Sequence, residues 1–327
     1  MAEPGHAIGI DVGGTKIAGG LVDAQGRVVR RTRRDTPDRT TRPEVVEDLL
    51  VEVVEELLDE AARSHLGAVS GVGLGAAGFV SADRSSVVFS PHLSWRDEPI
   101  RDRLATRVGV PVVLDNDANA AAWAEHRFGA GQGESRLILV TLGTGIGGGI
   151  VMDGRLERGR HGMAGEFGHM QVVPDGHRCE CGNRGCWEQY ASGSALRREG
   201  RELLAAGSPY AAGLAPRCDG DPARLEGHHV TAAAKAGDRA GTELLGDVGR
   251  WLGTGLANLV AAYDPGLVLV GGGVAEAGEL LLGPARETLA RQVTGRGHRP
   301  PVPVRPAALG ADAGIVGAAD LARTPGA

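Results

Sequence analysis

The sequence predicts an α/β protein with two domains, and three observations support this prediction. Short runs of β-branched residues alternate with longer segments whose apolar residues recur at helical spacing. The length of 327 residues suffices for two domains with separate hydrophobic cores. Two glycine-rich segments with the same strand–turn–strand pattern open the two halves of the chain.

Strands are predicted where short β-branched runs end at glycine or aspartate. They are Ala7–Ile10, Ile17–Val22, Val69–Leu74, Val110–Leu114, Leu137–Leu142, Ile150–Met152 and Leu267–Val270. Helices are predicted from apolar residues at helical spacing or from alanine-rich runs. They are Pro43–His65, Ala118–Phe128, Ala195–Ala206, Thr231–Ala262 and Asp312–Arg323. Residues 208–229 are expected to form a loop or partly helical insertion, to which we assign no role.

A weak internal repeat relates the two glycine-rich hairpins at an offset of 130 positions. The matched pairs are Ile8 with Ile138, Gly13 with Gly143, Gly19 with Gly149, and Asp23 with Asp153. Four matches in glycine-rich sequence carry little weight alone. They gain weight because both segments have the same strand–turn–strand pattern and each opens one half of the chain.

Composition limits the classes of partner. The 53 glycines lack a collagen period and cluster beside β-branched runs, which predicts tight turns that approach a ligand. The net charge of −6 gives the chain no general attraction to nucleic acid or to an anionic membrane. The basic run Arg27, Arg30, Arg31, Arg33 and Arg34 is predicted to be a solvated strand and loop face without a function.

The sequence also predicts a cytoplasmic location. Met1–Gly9 lacks the charged and apolar regions of a signal peptide. The apolar stretch Leu137–Met152 is interrupted by glycine and threonine, so we expect strand–turn–strand rather than a membrane span. Three of the four cysteines fall within 179–186, which fits metal binding in a reduced compartment better than disulfides.

The first hairpin carries the sequence Asp11-Val-Gly-Gly-Thr-Lys16. A tight turn exposes backbone N–H groups, and its glycines allow a phosphate to approach closely. Thr15 and Lys16 add donors for anionic oxygens, and Asp11 could hold magnesium through water. The alternative is an ordinary hairpin turn that happens to contain these residues.

The second hairpin, Gly143–Gly148, matches the dinucleotide fingerprint G-x-G-x-x-G. That fingerprint must open a helix, whereas here a strand-like run, 149–152, follows. We therefore predict a second phosphate-binding hairpin and disfavour a dehydrogenase. A glycine-rich turn without a ligand is the alternative.

Two further motifs follow predicted strands. In Asp115-Asn116-Asp117, a carboxylate at a strand end can accept a proton from a hydroxyl, although these residue types also cap helices. Gly271-Gly272-Gly273 follows Leu267–Val270 and could let an adenosine lie against backbone. A plain strand-ending turn explains the glycines equally well.

The segment from Gly165 to Glu188 combines an imidazole, three thiols and two carboxylates. His169, Cys179, Cys181 and Cys186 make a Cys3His set, the usual pattern of a structural zinc site. A disulfide with one free thiol is the alternative. Glu166 and Glu188 flank these ligands, and paired carboxylates suit the hydroxyls of a sugar.

Taken in order, these motifs resemble the ROK family of sugar kinases and regulators, within the actin-like ATPase superfamily. The resemblance spans nearly the whole chain, and the block Glu166–Glu188 is its most specific part. The stretches Leu93–Trp95, Asp115–Glu125 and Trp187–Arg198 are similar to ATP-dependent glucokinases of actinobacteria.

The resemblance implies a two-domain actin-like (ribonuclease H-like) fold with an interdomain cleft. Residues 1–115 would form a small α/β domain to which a C-terminal helix in 306–327 returns. Residues 116–305 would form a large α/β domain that carries the zinc loop. A homodimer or homotetramer is the family expectation.

The resemblance also implies a role for each motif. Asp117 would be the catalytic base, and sugar hydroxyls would meet Asn116, Asp117, Glu166, His169 and Glu188, with Gly78 nearby. Zinc would be held by His169, Cys179, Cys181 and Cys186. The phosphates of ATP with Mg²⁺ would meet Asp11, Gly13, Gly14, Thr15 and Lys16, with Thr144, Gly145, Gly272 and Gly273 on the nucleotide side.

The expected reaction is ATP-dependent phosphorylation of glucose at its 6-hydroxyl. Alternatives within the class are kinases for N-acetylglucosamine, N-acetylmannosamine, mannose or fructose, and polyphosphate could replace ATP. A non-catalytic sugar-responsive repressor is a further alternative. It is disfavoured because only ten residues precede Asp11, too few for a helix-turn-helix.

Overall fold

A computed structural model describes residues 5–324 and Gly326. The strands are β1 (Ala7–Val12), β2 (Lys16–Val22), β3 (Val28–Asp35), β4 (Val72–Ala76), β5 (Phe79–Val80), β6 (Val87–Phe89), β7 (Arg96–Glu98), β8 (Val112–Asn116), β9 (Leu137–Leu142), β10 (Ile146–Met152), β11 (Arg155–Leu156), β12 (Leu267–Gly271) and β13 (Val304–Pro306). The α-helices are α1 (Pro43–Arg63), α2 (Ile100–Val108), α3 (Asp117–Phe128), α4 (Glu188–Ala191), α5 (Gly193–Ala205), α6 (Gly227–Lys235), α7 (Arg239–Tyr263), α8 (Glu279–Gln292) and α9 (Ala313–Arg323).

The chain divides into two compact units. The first comprises Met1–Leu139, Gly149–Gly165 and Ala308–Ala327, and the second comprises Val140–Gly148 and Glu166–Ala307. In the first unit, α3 packs against α9. The domain boundary that we predicted between residues 115 and 116 stays a prediction.

The first five-stranded sheet has the order β3-β2-β1-β4-β8. Strands β1, β2 and β3 form an antiparallel meander, whereas β4 runs parallel to β1 and β8 parallel to β4. The edge strand β3 presents the predicted basic run. Its ion pairs are Arg27–Asp23, Arg30–Glu60, Arg31–Asp312 and Arg34–Glu56. The run is therefore the solvated face that we predicted, and its charges discourage pairing of this edge with another strand.

The second five-stranded sheet has the order β11-β10-β9-β12-β13, which is the order of the first sheet with each strand replaced by its counterpart. Strands β9 and β10 occupy the places of β1 and β2, so the repeat predicted from the hairpins extends to whole sheets. The stretch Leu137–Met152 is a β-hairpin, as predicted. Within the described residues, no helix is long and apolar enough to cross a membrane.

Helix α9 lies unusually close to the first sheet because glycines face it. A Cβ atom on Gly9 would lie 1.9 Å from the carbonyl oxygen of Ile315, and one on Gly73 would lie 1.7 Å from that of Ala318. On the other side of the helix, a Cβ atom on Gly317 would lie 1.7 Å from the carbonyl oxygen of Ala120. Strands β1 and β4 and helix α3 are thus in backbone contact with α9.

Several predicted elements differ from the structure. The predicted helix Thr231–Ala262 is two helices, α6 and α7, because Gly237 has a φ of 85° and the Asp238 side chain caps α7. The strand predicted at Val69–Leu74 begins at Val72 and reaches Ala76. Residues 208–229 form three short 3₁₀ turns before α6 begins. Helices α2 and α8 and the small sheet β5-β6-β7 were not predicted.

The close approach of α9 gives a test of the packing. We expect Gly73→Ala to lower the free energy of unfolding by about 1–3 kcal/mol. The new methyl group would clash with backbone atoms of α9, which cannot move aside as a flexible side chain could. Gly283→Ala is the matched control, since its Cβ atom would meet only Glu279 Oε2 at 3.9 Å within α8. That substitution should raise the free energy of unfolding by about 0.5–1 kcal/mol. Equal urea midpoints for Gly73→Ala and the wild type would contradict this account.

Candidate active site

The predicted phosphate and base residues of the first unit lie at one edge of its sheet. Asp11 pairs in register with Gly75 of β4, and Gly75 pairs with Asp115 of β8. Because β1, β4 and β8 are parallel, their carboxyl ends meet at the same edge, where ligands bind in open α/β sheets. The chain therefore brings Asp11 and the Asp115–Asp117 motif to neighbouring strand ends.

Asn116 links the strand end, helix α3 and Gly78. Its Oδ1 accepts hydrogen bonds from the amides of Ala118 and Asn119 at 2.9 and 3.1 Å, so it is the N-cap of α3. Its Nδ2 donates to the carbonyl oxygen of Gly78 at 3.1 Å. Gly78 has a φ of 135°, and a Cβ atom there would lie 2.3 Å from the Phe89 carbonyl oxygen. The capping role left open by the sequence thus belongs to Asn116.

Two carboxyl groups of this unit have raised pKa values. Burial raises the pKa of Asp11 to about 7, the charge of Asp117 adds to the effect, and Lys16 opposes it. Burial also raises the pKa of Asp117, against the opposing effect of its hydrogen bond from the Ala118 amide. Two carboxylates held together in this way attract a cation or a proton donor.

The first hairpin turn is exposed, and one hydrogen bond within the turn and one from Thr36 hold its backbone. The Gly13 amide donates to the Lys16 carbonyl oxygen at 3.0 Å, which closes the turn. The Thr36 hydroxyl donates to the Gly13 carbonyl oxygen at 2.7 Å. Gly14 and Thr15 are exposed, and a Cβ atom on Gly14 would lie 2.7 Å from the His92 ring. No pattern in the sequence pointed to His92, which comes from an irregular loop.

In the second unit, the four predicted metal ligands converge. The donor atoms of His169, Cys179, Cys181 and Cys186 all lie within 4.8 Å of one another. Cys181 Sγ lies 3.6 Å from Cys186 Sγ, close to the separation of about 3.8 Å expected between two thiolates on a tetrahedral Zn²⁺ with Zn–S bonds of about 2.3 Å. Three thiols and one imidazole in this arrangement fit a structural zinc ion.

The two carboxylates of the motif lie on opposite nitrogens of His169. Its Nδ1 is 3.6 Å from Cys179 Sγ and 3.7 Å from Glu188 Oε1. Its Nε2 is 4.0 Å from Glu166 Oε2. Nδ1 therefore lies near a thiol and a carboxylate, whereas Nε2 lies near the second carboxylate. The roles predicted for His169 towards metal and sugar stay predictions.

The cysteine loop is anchored by Trp187. The Trp187 ring is fully buried, its Nε1 donates to the Trp251 carbonyl oxygen at 2.8 Å, and its amide donates to the Met170 carbonyl oxygen at 2.8 Å. A Cβ atom on Gly255 would lie 2.0 Å from the ring, so the glycine provides the space for it. Glu188 follows Trp187 directly and is fixed by the same contacts.

The second hairpin approaches both Glu188 and helix α5. A Cβ atom on Gly145 would lie 2.5 Å from Glu188 Oε2, so a larger residue would displace the carboxylate. The Gly193 amide, at the start of α5, donates to the Gly143 carbonyl oxygen at 2.8 Å. Helix N-termini favour anions, so this junction is suited to phosphate.

A concavity of about 500 Å³ extends from this junction within the second unit. It is lined by Gly143, Thr144, Gly193, Ser194, Arg197, Glu226, Gly227, His228, Thr231, Ala232, Lys235, Gly273, Val274 and Glu276. The predicted nucleotide residues Thr144 and Gly273 are among them, whereas Gly145 and Gly272 are not. Its volume suits a nucleoside.

Sequence reasoning missed the side chains that line the rest of this concavity. Arg197 lies on α5, and His228 and Lys235 lie on α6, which begins in the segment that we left without a role. Glu226 caps α6 and pairs with Arg197 at 3.3 Å. In the sequence, these residues look like any exposed helical charge, and only the folded chain gathers them.

The chain is similar to a known protein family over nearly its full length. The ROK family model matches residues 7–325. The glucokinase of Streptomyces coelicolor is 46% identical over 98% of each chain. A solved ROK family glucokinase from Streptomyces griseus, in complex with glucose and AMPPNP, is 47% identical with a TM-score of 0.88, covering 98% of this chain and 100% of that one. The xylose repressor of Bacillus subtilis is 30% identical over 89% of this chain and 70% of its own length.

The likeness to the solved glucokinase confirms the actin-like ATPase fold that we predicted. It rests on nearly the full length of both chains, and the family match covers the same length. The chain therefore belongs to the ROK family.

Proposed function

We propose that this protein is an ATP-dependent sugar kinase that transfers the γ-phosphoryl group of ATP to the 6-hydroxyl of glucose. The observation that carries the proposal is the grouping of Glu166 and Glu188 around His169, whose ring belongs to the Cys3His cluster. Carboxylate and imidazole acceptors in this arrangement suit adjacent ring hydroxyls. The curated glucokinases, and the complex of the Streptomyces griseus enzyme with glucose and AMPPNP, support the same activity.

The first unit supplies the base and one phosphate hairpin. Asp117 would accept the proton of the 6-hydroxyl as the oxygen attacks the γ-phosphorus and the bond to ADP breaks. Its raised pKa makes it a stronger base than an exposed aspartate. The turn Gly13–Thr15 and Lys16 would orient the phosphates and stabilise their charge, and Asp11 would hold Mg²⁺ through water.

The second unit supplies the sugar acceptors and the nucleoside pocket. Glu166, His169 and Glu188 would accept hydrogen bonds from sugar hydroxyls. Asn116 and Gly78 are the sugar-binding residues that the family resemblance implies for the first unit. Thr144 and the start of α5 would meet phosphate, and the adenosine would occupy the concavity lined by Gly273 and Lys235. In a loose transition state, positioning and electrostatics provide most of the catalysis.

Zinc would serve structure rather than chemistry. His169, Cys179, Cys181 and Cys186 fill four positions of a tetrahedral ion, which leaves none for a reactive water. The ion would hold the His169 ring so that Nε2 stays available to the sugar. By holding the cysteine loop, the ion would also keep Glu188 in its position beside Gly145.

Regulators of the family are the principal alternative outside enzymes. The repressor from Bacillus subtilis matches this chain over 89% of its length, so the fold alone does not separate the two functions. The carboxylate Asp117 beside the phosphate hairpin favours catalysis, because a sugar sensor needs no base. We further propose a cytoplasmic location and a homodimer or homotetramer, as the family resemblance implies.

The assignment of Asp117 predicts the effect of its removal. Asp117→Ala should lower kcat by about 10²–10⁴-fold, which is the usual contribution of a general base, without unfolding the protein. Steady-state kinetics with a coupled assay of ADP release, together with circular dichroism, measure both quantities. Retention of more than about a tenth of the wild-type kcat would contradict the assignment.

The zinc assignment predicts a joint loss. Cys181→Ser should lose both zinc and activity, because a tetrahedral site with three ligands holds the metal weakly and releases the sugar loop. Cys218→Ser is the matched control, since Cys218 is buried in a separate turn, where its thiol donates to the backbone carbonyls of Leu214 and Ala215. Elemental analysis that finds no zinc in the wild-type protein would end this proposal.

The raised pKa of Asp11 predicts how binding of the magnesium nucleotide depends on pH. With a pKa of about 7, Asp11 is protonated below that pH and must lose a proton before it can hold Mg²⁺. Affinity for Mg²⁺-AMPPNP should therefore rise by up to about tenfold per unit as pH increases towards 7, and then level off.

Calorimetric titrations between pH 5.5 and 8.5, in buffers of different ionisation enthalpy, measure both the affinity and the proton released. Asp11→Asn is the control, because it removes the titrating group and should flatten the part of the profile that Asp11 causes. Parallel profiles for the wild type and this variant would contradict the prediction.

The glucose assignment is tested by comparing different sugars as substrates. Glu166, His169 and Glu188 engage several hydroxyls, and a buried carboxylate deprived of its partner is costly, so 2-deoxyglucose should be a poorer substrate. The measurement is kcat/KM for glucose, N-acetylglucosamine, N-acetylmannosamine, mannose and fructose at saturating ATP. A higher value for any competitor would overturn the glucose assignment and leave the sugar kinase in place.

A further inference from the structure

A buried ion pair lies directly behind the proposed base. Asp115 precedes Asn116 and Asp117 at the end of β8, and it is only 2% exposed. Arg158, more than forty positions later, places its Nε 2.8 Å and its Nη2 2.7 Å from Asp115 Oδ2. The Asp115 and Arg158 side chains are 3% and 16% exposed. None of the roles described above uses either residue.

The second oxygen of the same carboxylate holds the start of α3. Asp115 Oδ1 accepts a hydrogen bond from the Asn116 amide at 2.9 Å and from Asn119 Nδ2 at 3.0 Å. Arg158 thus fixes one oxygen while the other fixes the peptide between Asp115 and Asn116. A carboxylate bonded on both oxygens cannot rotate without breaking several contacts.

The contacts continue from Asp115 to the groups proposed for catalysis. Asn116 Oδ1 caps α3, and its Nδ2 bonds to Gly78, so the amide orientation follows the orientation of this peptide. Asp117 is the first residue of α3, and its Oδ1 accepts from the Ala118 amide at 2.9 Å. A displacement of the first turn of α3 therefore moves Asp117 with it. A misplacement of about 1 Å at a catalytic group can cost about 10²-fold in rate.

We propose that Arg158 and Asp115 form a positioning pair that holds Asn116 and Asp117 in the geometry needed for phosphoryl transfer, an inference that rests on the proposed role of Asp117. Stability alone is a poor explanation of the pair, because a buried ion pair is often no better than apolar residues of the same volume. What this ion pair provides is a fixed orientation, because the planar guanidinium holds the carboxylate in one geometry.

The test compares Arg158→Met, Arg158→Lys and the double variant Asp115→Asn/Arg158→Met. Arg158→Met should lower kcat by about 10–100-fold and change KM for glucose by less than about threefold, because Glu166, His169 and Glu188 remain. Arg158→Lys should recover part of the loss, since it restores the charge but not the fork. The double variant removes both charges of the pair, so its melting temperature should recover at least in part while kcat stays low.

Arg323→Met is the matched control for a merely structural effect. Arg323 pairs with Asp320 at 3.3 Å with side chains 6% and 3% exposed, and it donates to the carbonyl oxygens of Val22 and Asp23. Its replacement should lower the melting temperature and leave kcat unchanged. A wild-type kcat for Arg158→Met, or a loss of kcat that disappears when the melting temperature recovers in the double variant, would overturn the positioning pair.

The variant Asp117→Ala separates this inference from the proposed function. If it keeps more than a tenth of kcat, the base assignment fails, and the positioning pair fails with it as a device acting through Asp117. If it is inactive while Arg158→Met equals the wild type, only the positioning pair fails. If both lose activity, Arg158→Met should add less than about twofold on the Asp117→Ala background, because residues that act as a unit are not additive.

Discussion

The first unit depends on the close approach of helix α9 to the sheet and to helix α3. Carbonyl groups of the helix lie where side chains of Gly9 and Gly73 would otherwise be, and Gly317 faces α3 in the same way. Because backbone meets backbone, few flexible side chains remain between these elements that could take up a displacement. The carboxyl ends of β1 and β4 and the first turn of α3 are consequently fixed as one body, and those are the places from which Asp11 and Asp117 project.

Glycine therefore serves two purposes in this chain. Gly14 and Gly145 stand in hairpin turns, where the composition predicted glycine, and Gly14 is exposed. Others allow elements to pack closely: Gly253 faces the carbonyl oxygen of Ala285 in α8, where a Cβ atom would lie only 2.4 Å away, and Gly255 makes room for Trp187. The position of the cysteine loop thus depends on a helix glycine far from it in sequence. An aromatic content of 3% fits the same picture, because small residues bring backbones together where large ones would fill space.

The sequence predicted the parts of the structure whose signals are local. Both hairpins, a strand that leads into Asp115-Asn116-Asp117 and the convergence of four metal ligands follow from β-branched runs, glycine turns and ligand chemistry. The strand itself was predicted at Val110–Leu114 and lies at Val112–Asn116. Helix α8 was missed because Gly283 and Pro284 interrupt its pattern, and a proline inside a helix removes a backbone hydrogen bond. The pairing of Arg158 with Asp115 and the gathering of Arg197 and Lys235 around one concavity could not be predicted. Each is an ordinary charged residue until the fold supplies its neighbours.

The fold also holds two acidic side chains where their negative charge is unfavourable. Burial disfavours ionisation of both Asp11 and Asp117, and the charge of Asp117 further disfavours ionisation of Asp11. An arrangement of this kind is unfavourable without a ligand, and the surrounding packing must stabilise it. The close packing around α9 and the bonded carboxylate of Asp115 are suited to do so, because neither can relax without breaking backbone contacts or several hydrogen bonds. Under the proposed function, a magnesium nucleotide and a sugar hydroxyl would offset this cost by supplying a cation and a proton donor. Binding energy would then be gained at the groups proposed to take part in the reaction, which is where a kinase needs it.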